Sequence, residues 1–144
     1  MTRTTRQTAD LLLDRLAALD LAGFGDLFAE DGVLEYPFGF PGAPASVRGR
    51  ATIRTHLAES RQGVGSLITV TGVDATVHET TDPEVIVWET VISGTRNATG
   101  EPFRFVSGVG VLTIRDGEVV SMRDYTNVAG AAEAAGLGAA VSRP

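Results

Sequence analysis

The sequence predicts an α+β domain with an antiparallel sheet: helical periodicity occupies the first sixty residues, strand-like segments occupy residues 66–127, and an Asp-Gly turn signal joins the last two strands. At 144 residues and 43% hydrophobic content, the chain can fill one core but not two. Residues 8–20 place Leu12, Leu16 and Leu19 at helical spacing, with Leu13 beside them and Asp10, Asp14 and Arg15 on the other flank. Past Gly23 and Gly25, the residues Phe24, Leu27 and Phe28 form a second short helical stripe, which Glu30-Asp31-Gly32 is expected to stop. Val33 to Tyr36 read as a short strand. Pro37, Gly39, Pro41, Gly42 and Pro44 then break regular structure, and Phe38 and Phe40 put two rings into that loop. From Arg50 to Ser60, Ile53 and Leu57 stand four apart on a third helix.

Four strands follow, at 66–79, 84–94, 102–114 and 118–127, rich in Val, Ile, Thr and aromatic residues. Asp116-Gly117 supplies the positive φ angles of a tight hairpin between the last two. The domain is expected to span residues 1–128. The Ala- and Gly-rich tail at 129–144 is expected to hold a short capping helix ending near Gly136, then disorder toward Pro144.

Composition excludes several classes of function. No run of 18 apolar residues predicts a membrane span, and the opening Met1-Thr-Arg-Thr-Thr-Arg leads into an amphipathic pattern rather than a signal peptide's apolar stretch, so the cytoplasm is the expected compartment. With no cysteine there is no thiol nucleophile and no thiolate metal site, and His56 and His78, the only two histidines, stand far apart in sequence. No metal and no cofactor are expected. A net charge of −6 argues against a nucleic-acid partner. All 12 basic residues are arginine, which rules out a Schiff-base or P-loop lysine.

Alternation sorts the strand residues by face. On the last strand Val120, Met122, Asp124 and Thr126 share one face, and Val119, Ser121, Arg123 and Tyr125 the other. On the preceding strand the sets are Arg104, Val106, Gly108, Gly110 and Leu112 against Phe103, Phe105, Ser107, Val109 and Val111. Both faces are partly apolar, so the outer one is expected to pack on a second copy in a twofold homodimer. Gly108 and Gly110 either open a cavity or mark a bend, and glycine inside strands favours the bend.

The string from Leu27 to Gly39, the Val47-Arg48-Gly49-Arg50 opening of a helix, and the closing Asp116-to-Tyr125 hairpin resemble ketosteroid isomerase and SnoaL-like proteins over residues 8–128. The resemblance implies the cone-shaped fold of the nuclear transport factor two superfamily, with three N-terminal helices packed on a curved antiparallel sheet around an apolar pocket, commonly as a dimer. It does not carry over the isomerase's chemistry. The isomerase's catalytic base falls at Tyr36, its oxyanion-binding aspartate near Gly110, and its helix-one tyrosine near Arg15 or Leu16. Of the three functional positions of limonene epoxide hydrolase, two fall near Thr90 and Ile92, and only the last-strand aspartate is matched, by Asp124. SnoaL-like polyketide cyclases close a ring by an aldol-type step without metal or cofactor, and Asp124 is the counterpart of their acidic general base.

A carboxylate on the apolar side of a strand resists ionisation and can hold a proton near neutral pH, although Asp124 could equally be a structural partner of Arg104. Tyr36 and Arg104 are candidates to polarise a substrate oxygen. Trp88, Phe38, Phe40 and Met122 are candidates to shape the pocket, and His56 could reach its rim, the ordinary alternatives being core packing for Trp88 and a surface histidine for His56. The expected function is cofactor-independent acid/base catalysis of the cyclase or isomerase type on a small, apolar, ring-containing metabolite, in polyketide or other secondary metabolism. The alternatives are a non-catalytic pocket for a hydrophobic small molecule and a dimerisation module whose pocket is filled by its own side chains.

Overall fold

A computed structural model describes residues 2–39 and 41–137. Helix α1 (Thr5–Ala17) starts three residues ahead of the expected 8–20 span because Thr4 and Gln7 form a reciprocal capping box, and it ends at Ala17. After it come α2 (Leu21–Gly25), β1 (Phe28–Glu35), β2 (Ser46–Arg48) and α3 (Arg50–Gln62). A single 3₁₀ turn leads into β3 (Ile68–Glu79), β4 (Val85–Arg96), β5 (Pro102–Arg115) and β6 (Glu118–Thr126), and α4 (Val128–Ala134) closes the described chain. Asp20 caps α2 and Asn127 caps α4, each side chain accepting a backbone N–H three residues on. The disorder expected toward Pro144 falls outside the described residues, as does Phe40.

The described residues form a six-stranded sheet in the order β2-β1-β6-β5-β4-β3. Every neighbouring pair is antiparallel except β1 with β6, which is parallel. The core lies between α1, α2, α3 and one sheet face, where Leu12, Phe28, Ile53, Leu112 and Val119 are fully buried. Arg3 and Thr8 bind the Gly117 carbonyl, tying the start of α1 to the β5–β6 hairpin.

Two sequence expectations need correcting in the first half. The second helix ends at Gly25, and Phe28 already opens β1, so Glu30-Asp31-Gly32 lies inside a strand rather than at a helix stop. Between the Phe28↔Val119 and Val33↔Ser121 pairs β1 has four intervening residues and β6 one, and that wide irregularity is where the polar turn-like residues sit. The loop after Pro37 also contains β2, whose Val47 is buried against the core.

Bulges explain the corrections in the second half. On β5 the register passes from Thr90↔Gly108 to Val91↔Val106, leaving Ser107 as an extra residue. Gly108 sits at this bulge with φ +152, and a Cβ there would lie 2.5 Å from the Tyr125 carbonyl oxygen. An extra residue reverses the alternation beyond it. Gly110 and Leu112 therefore face the core, whereas Arg104 and Val106, assigned by simple alternation to that same face, are exposed on the other. On β6 an equivalent shift at Val120 turns Val119 rather than Val120 into the core.

Candidate functional site

Cross-strand register assembles the site. Trp88 pairs with Gly110 and Gly110 with Asp124, so these three form one row across β4, β5 and β6. Tyr36 follows Glu35, which pairs with Arg123, and so continues the row beside Asp124. The next row is Thr90, Gly108 and Thr126. Gly110 matters by what it lacks: a Cβ there would run into the Trp88 indole, so only glycine lets the ring lie flat across the strand.

These rows line a cavity of about 270 Å³, walled on the helical side by Leu16, Leu21, Phe24, Leu57 and Ala131 and on the sheet side by Leu34, Ile92, Phe105 and Met122. Its side-chain polar groups are few: Tyr36, Thr90, Ser107, Asp124, Thr126 and the Trp88 indole. An apolar enclosure with a few converging polar groups is the usual make-up of a small-molecule site. Phe24 meets the Trp88 ring edge-on with centroids 6.4 Å apart and packs tilted on Phe28 at 6.2 Å, which fixes the wall on that side.

Burial pushes the Asp124 carboxyl up to about 6, against a smaller opposing effect of a hydrogen bond from Thr126. Tyr36 is raised well above the ordinary phenol value, first by burial and then by the neighbouring Asp124 charge. The phenol therefore stays protonated wherever Asp124 titrates. Its oxygen lies 2.8 Å from His56 Nε2, with the two rings 5.5 Å apart.

Of the residues singled out in the sequence, Asp124, Tyr36, Trp88 and Met122 line this cavity together. His56 stands behind Tyr36 and touches it rather than lining the cavity. Arg104 does not belong to the site: the Ser107 bulge places it on the opposite face, where it binds Asp74 and Ser93, each at 3.0 Å. Phe38 is also outside, 69% exposed, because the chain turns at Pro37 and lays the ring over Tyr125 on the outer face of β6. Ser107 and Phe105 are not among the sequence candidates because the bulge hides their facing, and Thr90, matched there only to a position where the epoxide hydrolase pattern is not kept, lines the cavity two residues along β4 from Trp88. Among the described residues no group of three or more His, Asp or Glu side chains is arranged to hold a metal ion, and no helix is long and apolar enough to cross a membrane.

An α+β domain of this topology, with a pocket between its helices and one sheet face, has the ketosteroid isomerase-like, nuclear transport factor two-like fold. Residues 9–122 match the family described as the SnoaL-like domain, and the chain belongs to that family. An uncharacterized PhzA/B-like protein of Pseudomonas aeruginosa is 32% identical over 108 residues, 75% of this chain and 73% of that protein. Among solved structures, a candidate isomerase from Bacillus subtilis superposes with a TM-score of 0.77 at 25% identity, covering 92% of this chain and 93% of that one. A candidate polyketide cyclase from Pseudomonas putida gives 0.69 at 16% identity over 92% and 98% of the two chains, a likeness of fold alone.

Proposed function

We propose that this chain is a cofactor-independent acid/base enzyme acting on a small, apolar, ring-containing carbonyl compound, with Asp124 as proton shuttle and Tyr36 as hydrogen-bond donor to the reacting oxygen. The single observation that carries this reading is a carboxyl held at about 6 in an apolar cavity wall beside a phenol that stays protonated. Two groups with such separated titrations divide the labour of enolisation. The Asp124 carboxylate accepts a proton from the carbon next to the carbonyl. The C–H electron pair moves into the enolate, and the oxygen's growing charge is met by the Tyr36 O–H. Asp124 then returns the proton to a different carbon, an isomerisation, or the enolate carbon attacks a second carbonyl and Asp124 protonates the alkoxide formed, a cyclisation.

Trp88 and Met122 supply flat and adaptable apolar walls for the ring. An apolar cavity of ~150 Å³ accommodates benzene, so one of about 270 Å³ suits roughly two six-membered rings. The candidate isomerase among the structural relatives, at 25% identity, supports this class of chemistry, and a place in secondary metabolism is proposed with it. The cytoplasm is the proposed compartment, and the apolar outer sheet face supports a homodimer.

The test is Asp124→Asn, assayed for deuterium exchange next to the carbonyl of 2-tetralone and for binding of the same ketone. The expected result is loss of at least ~100-fold in exchange with affinity within about threefold, since general acid–base groups contribute roughly 10²–10⁴. Equal exchange by the parent and the variant, or none by either with binding intact, would make the protein a hydrophobic-ligand carrier.

A further inference from the structure

We propose that the hydroxyls of Thr90 and Ser107 form a second recognition point in the cavity, one that selects a hydroxyl group on the ligand at the end away from the reacting carbonyl. This rests on the cavity being a ligand site and adds the identity of the ligand's second polar group.

Thr90 Oγ1 and Ser107 Oγ lie 2.5 Å apart, and both residues line the cavity. The pair exists because of the β5 bulge: Ser107 is the extra residue, brought next to Thr90 of the adjoining strand instead of alternating to the outer face. Two hydroxyls carry two hydrogens, and the protein uses both. With Thr90 donating to Ser107, the Ser107 hydrogen goes to the Thr90 carbonyl at 3.2 Å; the reverse order is disfavoured, because it leaves the Thr90 hydrogen only the Gly108 carbonyl at 3.5 Å, beyond a firm O–H···O bond. In the favoured arrangement only oxygen lone pairs remain to face the cavity. Such a site accepts hydrogen bonds and does not donate them, so it favours a ligand O–H and gains nothing from a ketone or ether oxygen. Tyr36 is the complementary case: with the His56 tautomer that carries its hydrogen on Nε2 and donates to the phenol oxygen, the phenol hydrogen is left to donate to a carbonyl.

The two recognition points are separated within the sheet. Thr90 belongs to the row next to the one containing Asp124, an offset of ~7 Å along the strands, and sits two strands away, ~10 Å across them. A ligand spanning both points carries its oxygens at opposite ends of a ring system of about two rings. The substrate class indicated is therefore a bicyclic hydroxy-ketone.

Binding of three probes that share one skeleton tests this: 2-tetralol, which donates and accepts; 2-tetralone, which only accepts; and tetralin, which does neither. Trp88 is the only tryptophan and lines the cavity, so its fluorescence reports occupancy. Thr90→Val and Ser107→Ala are each expected to weaken 2-tetralol by ~3- to 10-fold, the size of one net hydrogen bond, and to leave 2-tetralone and tetralin within twofold. If 2-tetralol and 2-tetralone move together, or 2-tetralol binds both variants as it binds the parent, the hydroxyl-selecting role is overturned while the cavity stands as a ligand site. Failure of all three probes to bind the parent protein would overturn the cavity reading itself.

Discussion

Asp124 is where function and stability pull in opposite directions. Its carboxyl titrates near 6 in the folded chain against an ordinary value of 3.8, so between those pH values the native state holds a proton that the unfolded state has released. Stability therefore falls as pH rises through that window, and above it the ionised form costs up to ~3 kcal/mol at 1.36 kcal/mol per tenfold. Water entering the cavity relieves part of this, leaving ~1–2 kcal/mol as the expected gain from Asp124→Asn at pH 7.5. That advantage should shrink to nearly zero by pH 4, where the aspartate is neutral in the fold as well. Urea unfolding of both proteins at the two pH values measures it; an Asn variant no more stable than the parent at pH 7.5 would mean the carboxylate is well solvated. As a general base the same group predicts kcat/KM rising tenfold per pH unit below about 6 and levelling above it. Tyr36→Phe removes the donor but not the base, and is expected to lower kcat by ~10²-fold with that pH midpoint not displaced downward, because the Asp124 value is raised by burial, which the phenyl ring preserves.

At the scale of the strand, bulges decide which residues reach the cavity. The parity of β6 near Asp124 and of β4 near Trp88 was legible in the sequence because no irregularity separates these residues from Met122 or Ile86 respectively. Arg104 was misread because a single extra residue, Ser107, separates it from Gly110, and nothing in Phe-Val-Ser-Gly-Val-Gly marks which position the partner strand will skip. Gly108 and Gly110 were visible as exceptions, yet they do different things: Gly108 answers a backbone requirement at the bulge, Gly110 a side-chain one under Trp88. This predicts unequal costs. Gly108→Ala drives its methyl against a main-chain carbonyl that cannot move and is expected to destabilise by ~2–4 kcal/mol. Gly110→Ala meets an indole that can tilt into the cavity, so ~1–2 kcal/mol is expected, together with a shift of tryptophan emission that Gly108→Ala lacks. Denaturant titration followed by fluorescence checks both, and a Gly110→Ala variant costlier than Gly108→Ala would reverse the assignment.

For the whole molecule, the question is what covers the outer face of the sheet. Val106 is 57% exposed there, Phe38 is 69% exposed where it stacks on Tyr125, and Val91, Val109 and Val111 are half-buried around them. The Asp74–Arg104 and His78–Glu89 ion pairs stand on the exposed polar parts of the same strands. An apolar centre beside charged pairs is the composition on which the proposed homodimer contact rests. A second copy is the simplest partner, since a twofold contact buries the same patch on both chains. The parent protein is accordingly expected to sediment at twice the chain mass at micromolar concentration. Val106→Glu places two charges near the centre of that contact and is expected to shift the protein to the chain mass, while leaving the cavity intact because Val106 faces away from it. Retained binding of 2-tetralone by the monomeric variant would show that each subunit carries a complete site. A parent protein that sediments as a monomer at tens of micromolar would instead mean that this face is wetted or serves another partner.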